Sequence, residues 1–297
     1  MRARHSVKRE TIRESVYSDF WRFNHNILII NYNNMKTALI TGIAGGMGYA
    51  AAKKLIQEGY SVFGLDIIRP DLPAGLTFIN TDLTDPLSIK NAFQEIHSKG
   101  VSIDCIIHLA GIYNLDSLVE ISDDEFTKIF RTNLFSVYRV NKIFLPVLKK
   151  RGRILIVTSE LAPLNPLPFT GIYAITKTAL DSYARSLQME LQLLGCKVII
   201  LRPGAVKTGL LGKSVQALNA FCDNTRLYSC NSEKFRNIVN HIEARNISPD
   251  RIADTVCNIL NSKRPRQIYS INRNPLLLIM NALPIRFQSF IIKRLIS

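Results

Sequence analysis

The sequence predicts an α/β protein built on a single doubly wound parallel sheet with helices on both faces. Three observations carry that expectation. From Lys36 onward, short apolar runs alternate with stretches of helical period. The runs are apolar throughout, as in strands covered on both faces. A glycine cluster, Thr41-Gly-Ile-Ala-Gly-Gly-Met-Gly48, stands directly between the first run and the first helical stretch.

The runs expected to be strands are Ala38–Thr41, Ser61–Leu65, Leu76–Ile79, Cys105–Leu109, Ile154–Thr158 and Val198–Leu201. Helical period near 3.6 marks Met47–Gln57, Leu87–His97, Asp123–Lys149 and Tyr173–Leu194 between them. Gly204–Asn246 shows neither a strong strand nor a clean helix and is read as a mobile flap over the site. Ser248-Pro249-Asp250 reads as a helix start, with Ser248 as N-cap and Pro249 in the first turn, and that helix should run to about Asn261. Gln267–Ile271 reads as a final strand. The domain is therefore placed at 35–273, with an extension at 1–34 and a hydrophobic, basic tail at 274–297.

The extension is polar and mixed in charge. Its one short apolar run, Ile27–Ile30, falls below the roughly 7–15 residues of a signal peptide core. It is expected to be disordered, or to be translated from a start upstream of Met35, and to be dispensable for folding and activity.

The chain has 297 residues, 47% of them apolar, which is ordinary for one large globular domain. Its five cysteines are scattered and form no CxxC pair. That argues against a disulfide framework or zinc site and suits a reducing cytoplasm. The net charge of +15 is unevenly placed: no acidic residue follows Asp254, whereas Lys263, Arg264, Arg266, Arg273, Arg286, Lys293 and Arg294 do. A basic end can meet nucleic acid or an anionic membrane. No nucleic-acid motif accompanies it, and the apolar residues between the charges point to a membrane surface. A solvated tail is the alternative.

The glycine cluster carries the first chemical signal. Gly42, Gly46 and Gly48 permit a tight turn, close approach to a pyrophosphate and close helix–strand packing. The following helix N-terminus supplies oriented N–H groups for the anion. Asp66 ends the second strand, about 20 residues on, where a carboxylate binds a ribose hydroxyl and repels a 2′-phosphate. A turn role is its alternative. Asp82 and Leu83 follow the third strand, where an aspartate could meet an adenine edge or cap a turn.

Tyr173 and Lys177, in Gly171-Ile-Tyr-Ala-Ile-Thr-Lys177, are four apart and share a helix face. An ammonium beside a phenol favours the phenolate, so the tyrosine pKa should fall toward the working pH. His108 reads as a packed strand-end histidine.

With these motifs in order, the chain resembles the short-chain dehydrogenase/reductase family over about Lys36 to Ile271. The resemblance rests on Thr41–Gly48, Ala110-Gly111, Asn133, Ser159 with Tyr173 and Lys177, and Pro203-Gly204. It implies a Rossmann fold and NAD(P)-dependent interconversion of an alcohol and a ketone. Tyr173 becomes the general acid/base. Lys177 lowers its pKa and holds the nicotinamide ribose. Ser159 binds the substrate oxygen, and Asn133 positions a water linking Lys177 to solvent. Thr41, Gly42, Ile43, Gly46, Met47, Gly48, Asp66, Asp82, Leu83, Ala110, Gly111, Pro203, Gly204, Val206 and Thr208, with Tyr173 and Lys177, are implied to bind the cofactor. Val206 and Thr208 would meet its carboxamide. The positive charge of an oxidised nicotinamide would lower the tyrosine pKa further.

Three departures stand out. His108-Leu-Ala-Gly111 replaces the usual Asn-Asn-Ala-Gly and leaves some central hydrogen bonds open. The Ser159–Tyr173 interval is one residue longer than usual, to be absorbed by the loop Leu161–Phe169. The extension has no family counterpart. NAD is favoured over NADP, because Gly45 and Ile67 occupy positions where NADP users carry a basic residue.

Leu161, Leu164, Leu167, Phe169 and Tyr113, with Leu210, Leu211 and Phe221 on the flap, are candidate pocket walls for a lipid-, steroid- or retinoid-like alcohol or ketone. They could instead pack on one another. The alternative functions are an NADP-linked 3-oxoacyl or carbonyl reductase, or a non-catalytic nucleotide-binding scaffold. A homo-oligomer through the two long helices is expected. In the tail, Asn281, Pro284 and Arg286 interrupt the apolar run before a membrane span of roughly 20 residues. A helix from Ile285 would set Phe287, Phe290, Ile291 and Leu295 on one side and Arg286 and Lys293 on another, as in an interfacial helix.

Overall fold

The computed structural model describes residues 35–71, 74–243 and 245–297, with the side chains of 210–214 and 241–243 left aside. The expectation for residues 1–34 lies outside the described residues. Among the described residues seven strands form one sheet, in the order β3-β2-β1-β4-β5-β6-β7. They are β1 Lys36–Thr41, β2 Tyr60–Asp66, β3 Leu76–Asn80, β4 Ile103–His108, β5 Leu148–Val157, β6 Lys197–Pro203 and β7 Ile268–Ile271. Every neighbouring pair is parallel. The order reverses between β1 and β4, which opens a crevice at their carboxyl ends, where open α/β sheets bind ligands.

Successive strand side chains point to opposite faces, so the sheet has two cores. Leu39, Ile106, Ile154, Ile156, Val198 and Ile200 face one; Ala38, Ile40, Ile107, Leu155, Ile199 and Leu201 face the other. Each run is apolar throughout because both faces are covered.

The helices that cover them are α1 Gly46–Gln57, α2 Pro86–Ser98, α3 Asp123–Phe130, α4 Ser136–Phe144, α5 Gly171–Leu191, α6 Gly209–Asn224, α7 Ser229–Glu243, α8 Pro249–Asn261, α9 Pro275–Ala282 and α10 Ile285–Ile296. Asp85 caps α2 through the Leu87 and Ser88 N–H groups, and Ser248 caps α8 through that of Asp250, each ahead of a proline. α5 runs on into a single 3₁₀ turn and ends at Gly195, which takes the left-handed φ of 77° that terminates helices.

Two expectations are corrected. The helix foreseen over Asp123–Lys149 is present as one helical run, but it is not uniform and it stops at Val147. A π-helical turn at Arg131–Phe135 separates α3 from α4, and a 3₁₀ turn containing Pro146 ends the helical run. Leu145 is still helical, but Pro146 cannot donate to the ladder, and after one 3₁₀ turn Leu148 turns extended and opens β5 with Lys149. The segment Gly204–Asn246 is not featureless, because α6 and α7 occupy most of it. Their apolar side is short: Leu218, Phe221, Phe235 and Val239 pack with Leu115 in a small separate cluster.

Candidate active site

The crevice is built from the loops that follow β1, β4, β5 and β6. After β1 the chain turns at Gly42, with φ at 76°. A Cβ there would lie 2.6 Å from the Cα of Ala110. One on Gly48 would lie 2.0 Å from the carbonyl oxygen of Gly42. The loop is therefore folded back on itself and pressed against the end of β4, which only glycine allows. At Gly46 a Cβ would meet the Thr208 side chain at 2.9 Å, so Thr208 closes over the loop.

Unlike α2 and α8, α1 starts without a side-chain cap, and no acidic residue stands in its first turn. Its first N–H groups are left for an anion, and the residues present thus fit a dinucleotide pyrophosphate. Asp66 accepts from the Ala44 N–H at 3.0 Å and from the Ile68 N–H at 3.2 Å, so its carboxylate stands beside the loop.

Not every expected cofactor residue presents a side chain. Ile43 is fully buried and sits over Gly64, where a Cβ would come within 2.7 Å of it. Leu83 packs into the core. Asp82 accepts from the N–H and hydroxyl of Thr84 at 2.8 and 2.7 Å, an Asx turn. Met47, Gly111, Pro203, Gly204, Val206 and Thr208 line the cavity.

Asn133 lies in the π turn, fully buried. Its Oδ1 accepts from the Ile112 N–H at 2.8 Å, and its Nδ2 donates to the Ile112 carbonyl at 2.9 Å and to Thr176 Oγ1 at 3.1 Å. Such turns inside helices often mark functional sites; this one carries Asn133 against α5. A Cβ on Gly111 would lie 3.3 Å from Asn133 Oδ1 and 3.5 Å from Lys177 Nζ, which places the two polar groups on either side of one small residue.

Lys177 Nζ donates to the Val157 carbonyl at 3.2 Å and sits 5.8 Å from the Tyr173 ring centre. The Ser159 hydroxyl accepts from the Leu161 N–H at 3.2 Å and stands near enough to the Tyr173 phenol to favour its ionised form. The extra residue between Ser159 and Tyr173 is thus accommodated without parting them. Their loop includes Phe169 at a left-handed φ of 61°, with its carbonyl accepting from the Asp116 N–H at 2.8 Å.

The expected direction of the tyrosine shift is corrected. Burial pushes the Tyr173 phenol up to about 12, against the opposing effect of the Ser159 hydroxyl. Burial also pulls Lys177 down to about 8. In the protein alone, desolvation outweighs the mutual effect of the pair.

His108 is a packed residue, as expected. Its Nε2 pairs with Asn141 Oδ1 at 2.8 Å, and burial lowers its pKa to about 4, so the ring is neutral. Its backbone keeps register with Thr41 and Ile156, and the sheet is intact there.

Tyr113, Leu161 and Leu167 line the cavity as expected, joined by Phe235, Ile238 and Val239 of α7 and by Leu277 of α9. Leu164 stays off the wall. Phe169 turns away to pack against Phe221, tilted with ring centres 4.5 Å apart, and edge-on against Phe235 at 5.0 Å, and Phe221 is off the wall as well. The side chains of Leu210 and Leu211 lie outside the described residues. Glu160 and Leu277 were missed. The first stands beside Ser159 in sequence; the second has only the tail's apolar character as a signal.

The family model described as short chain dehydrogenase matches residues 36–219. Estradiol 17-beta-dehydrogenase 2 of Mus musculus is 30% identical over 193 residues, 60% of this chain and 50% of that protein, so the chain spans half the length of this relative. The 3-ketodihydrosphingosine reductase of Bacteroides thetaiotaomicron is 25% identical over 229 residues, 76% of this chain and 84% of that one. Among solved structures, the ligand-free aldohexose dehydrogenase of Thermoplasma acidophilum superposes with a TM-score of 0.67 at 22% identity, covering 81% of this chain and 96% of that one.

Proposed function

The chain belongs to the short-chain dehydrogenase family, and from that premise we propose that it interconverts a secondary alcohol and a ketone on an apolar substrate, with NAD preferred to NADP. One observation carries the reading. Ser159, Tyr173 and Lys177 line one apolar cavity together with the residues that flank the glycine loop.

When bound, NAD(P) supplies the hydride acceptor or donor, and in its oxidised form a positive charge. The protein supplies orientation and one proton path. Tyr173 exchanges a proton with the substrate oxygen, which Ser159 holds by its hydroxyl. Lys177 stabilises the phenolate. Asn133, beside Lys177, holds the relay toward solvent.

Support for the cofactor preference comes from Asp66 next to the loop. Support for an apolar substrate comes from Tyr113, Leu161, Leu167, Val239 and Leu277 on the wall. We infer in addition a homo-oligomer, and peripheral contact of the tail with an anionic membrane from the reducing side.

The test is a panel of apolar alcohols and ketones, offered with NAD and NADP in parallel and followed by reduced-cofactor absorbance. The expected outcome is turnover with NAD that Tyr173→Phe lowers by at least ~10²-fold, while calorimetry still records cofactor binding. Turnover confined to NADP and acyl thioesters would favour the reductase alternative. Cofactor binding without turnover on any compound would leave a nucleotide-binding scaffold.

A further inference from the structure

Glu160 is a buried carboxylate in the wall of an otherwise mostly apolar cavity, and the proton path leaves it without a task. It is 8% exposed. It immediately follows Ser159, and both line the cavity with Tyr173. One oxygen, Oε2, accepts from the Asn274 N–H at 2.7 Å. The other, Oε1, lies over Gly204, 2.9 Å from where a Cβ would be, and makes no hydrogen bond among the described residues. Arg273 is near enough to act on it electrostatically, and no ion pair between the two is present among the described residues.

Holding Asn274 does not need a charge, because a glutamine oxygen would accept the same N–H. Oε1 is not sealed in: it is open to the cavity, where a donor on a bound molecule can reach it. Glycine at 204 admits the Asn272 carbonyl oxygen, 2.0 Å from where a Cβ would be, with Oε1 beside it. The arrangement is a half-built site for a hydrogen-bond donor, placed next to the group that would hold the reacting oxygen.

We propose that Glu160 binds a protonated amine on the substrate, on a carbon close to the reacting carbinol, so that the substrate is a long-chain amino alcohol or amino ketone. The inference rests on the redox reading of the same cavity. Apolar walls take the chain, Ser159 and Tyr173 take the oxygen, and Oε1 takes the ammonium. A charge-assisted hydrogen bond in a desolvated site corresponds to a preference of at least about tenfold.

The experiment compares a long-chain vicinal amino alcohol with the same alcohol lacking the amine, in wild type and Glu160→Gln. Glutamine retains an acceptor for Asn274, and equal melting temperatures check that it does. The readout is the ratio of kcat/KM for the two compounds at neutral pH. It should be about tenfold or more in favour of the amine in wild type and fall close to one in Glu160→Gln. A wild-type ratio near one, or an equal loss on both compounds in the variant, overturns the proposal. The same ratio is read from equilibrium binding to Tyr173→Phe by calorimetry. If binding keeps the amine preference and no variant or wild type turns over, the redox reading fails and the Glu160 site stands. If turnover is present and neither ratio favours the amine, the reverse holds.

Discussion

Lys177 Nζ is anchored 3.2 Å from the carbonyl oxygen of Val157, at the carboxyl end of β5. The bond fixes the lysine where Gly111 and Asn133 also converge, yet it leaves an ammonium fully desolvated. Burial lowers the Lys177 pKa from 10.5 to about 8. Between those values the folded protein binds fewer protons than the unfolded chain, so stability of the cofactor-free protein should rise with pH across that window. Tyr173, held up at about 12, acts oppositely, and only above the ordinary tyrosine value of 10.0. Lys177→Met should remove the rise. The variant should be more stable than wild type near neutrality, by up to about 3 kcal/mol, with the gap closing toward pH 10. Urea midpoints at several pH values decide it, and parallel curves for the two proteins would show that Lys177 is not desolvated.

Asp66 receives N–H bonds from Ala44 and Ile68 and so couples the glycine loop to the end of β2. Its charge should still discriminate between cofactors, since a 2′-phosphate would meet a carboxylate there. Asp66→Ala is expected to lower kcat/KM with NAD and to narrow the ratio of NAD to NADP by roughly tenfold or more, the scale of removing one unfavourable charge contact. A ratio unchanged while both values fall would assign Asp66 to loop support alone.

Much of this site was legible because its chemistry is encoded at short range. The glycine loop, the Tyr173–Lys177 spacing and Ser248-Pro249 are local patterns with local physical causes. The strands were legible from unbroken apolar runs, since a sheet covered on both faces imposes them. What escaped depends on packing. The π turn that aims Asn133 has no composition of its own. Phe169 was assigned to the cavity wall, but a left-handed backbone and the rings of Phe221 and Phe235 turn it away. α6 and α7 were hidden because they pack on a small local cluster and present a weak stripe. The tyrosine shift was misjudged in sign because a pair of residues says nothing about desolvation.

The exposed apolar residues on the site's own helices bear on assembly. Phe126, Phe135, Tyr138, Ile175 and Met189 are all exposed on or beside α3, α4 and α5. A cluster of aromatic side chains left in water on two neighbouring helices suits a two-fold interface, in which one patch meets itself. Phe135→Glu combined with Tyr138→Glu should shift the protein from dimer or tetramer to monomer in light scattering at micromolar concentration. A wild type that is monomeric under those conditions would refute the interface.

The tail differs from that patch in charge. Among the described residues no helix is long and apolar enough to cross a membrane, but α9 and α10 present a particular outer surface. Their inner sides are occupied. Leu277 lines the cavity, Asn281 accepts from the Asn165 N–H at 2.8 Å, and buried Gln288 accepts from the Asn165 amide at 3.2 Å. Their outer sides carry Leu276, Ile279, Ile285, Phe287, Phe290 and Leu295, each more than half exposed, with Phe290 at 68%. Arg286, Lys293 and Arg294 stand among them, and no acidic residue follows Asp254. A second copy of this face would bring like charges together, which disfavours self-pairing. An anionic lipid surface would satisfy both the apolar and the basic groups. The wild type is therefore expected to sediment with vesicles containing phosphatidylserine, less so as salt rises, while Phe287→Ser with Phe290→Ser should weaken binding at least about tenfold with the melting temperature kept, because neither ring is buried. Lys293→Glu with Arg294→Glu should weaken binding to anionic vesicles and leave the weak binding to neutral ones unchanged. Equal, negligible sedimentation of wild type and variants would remove the membrane from this account and leave the two helices as a fixed wall of the cavity.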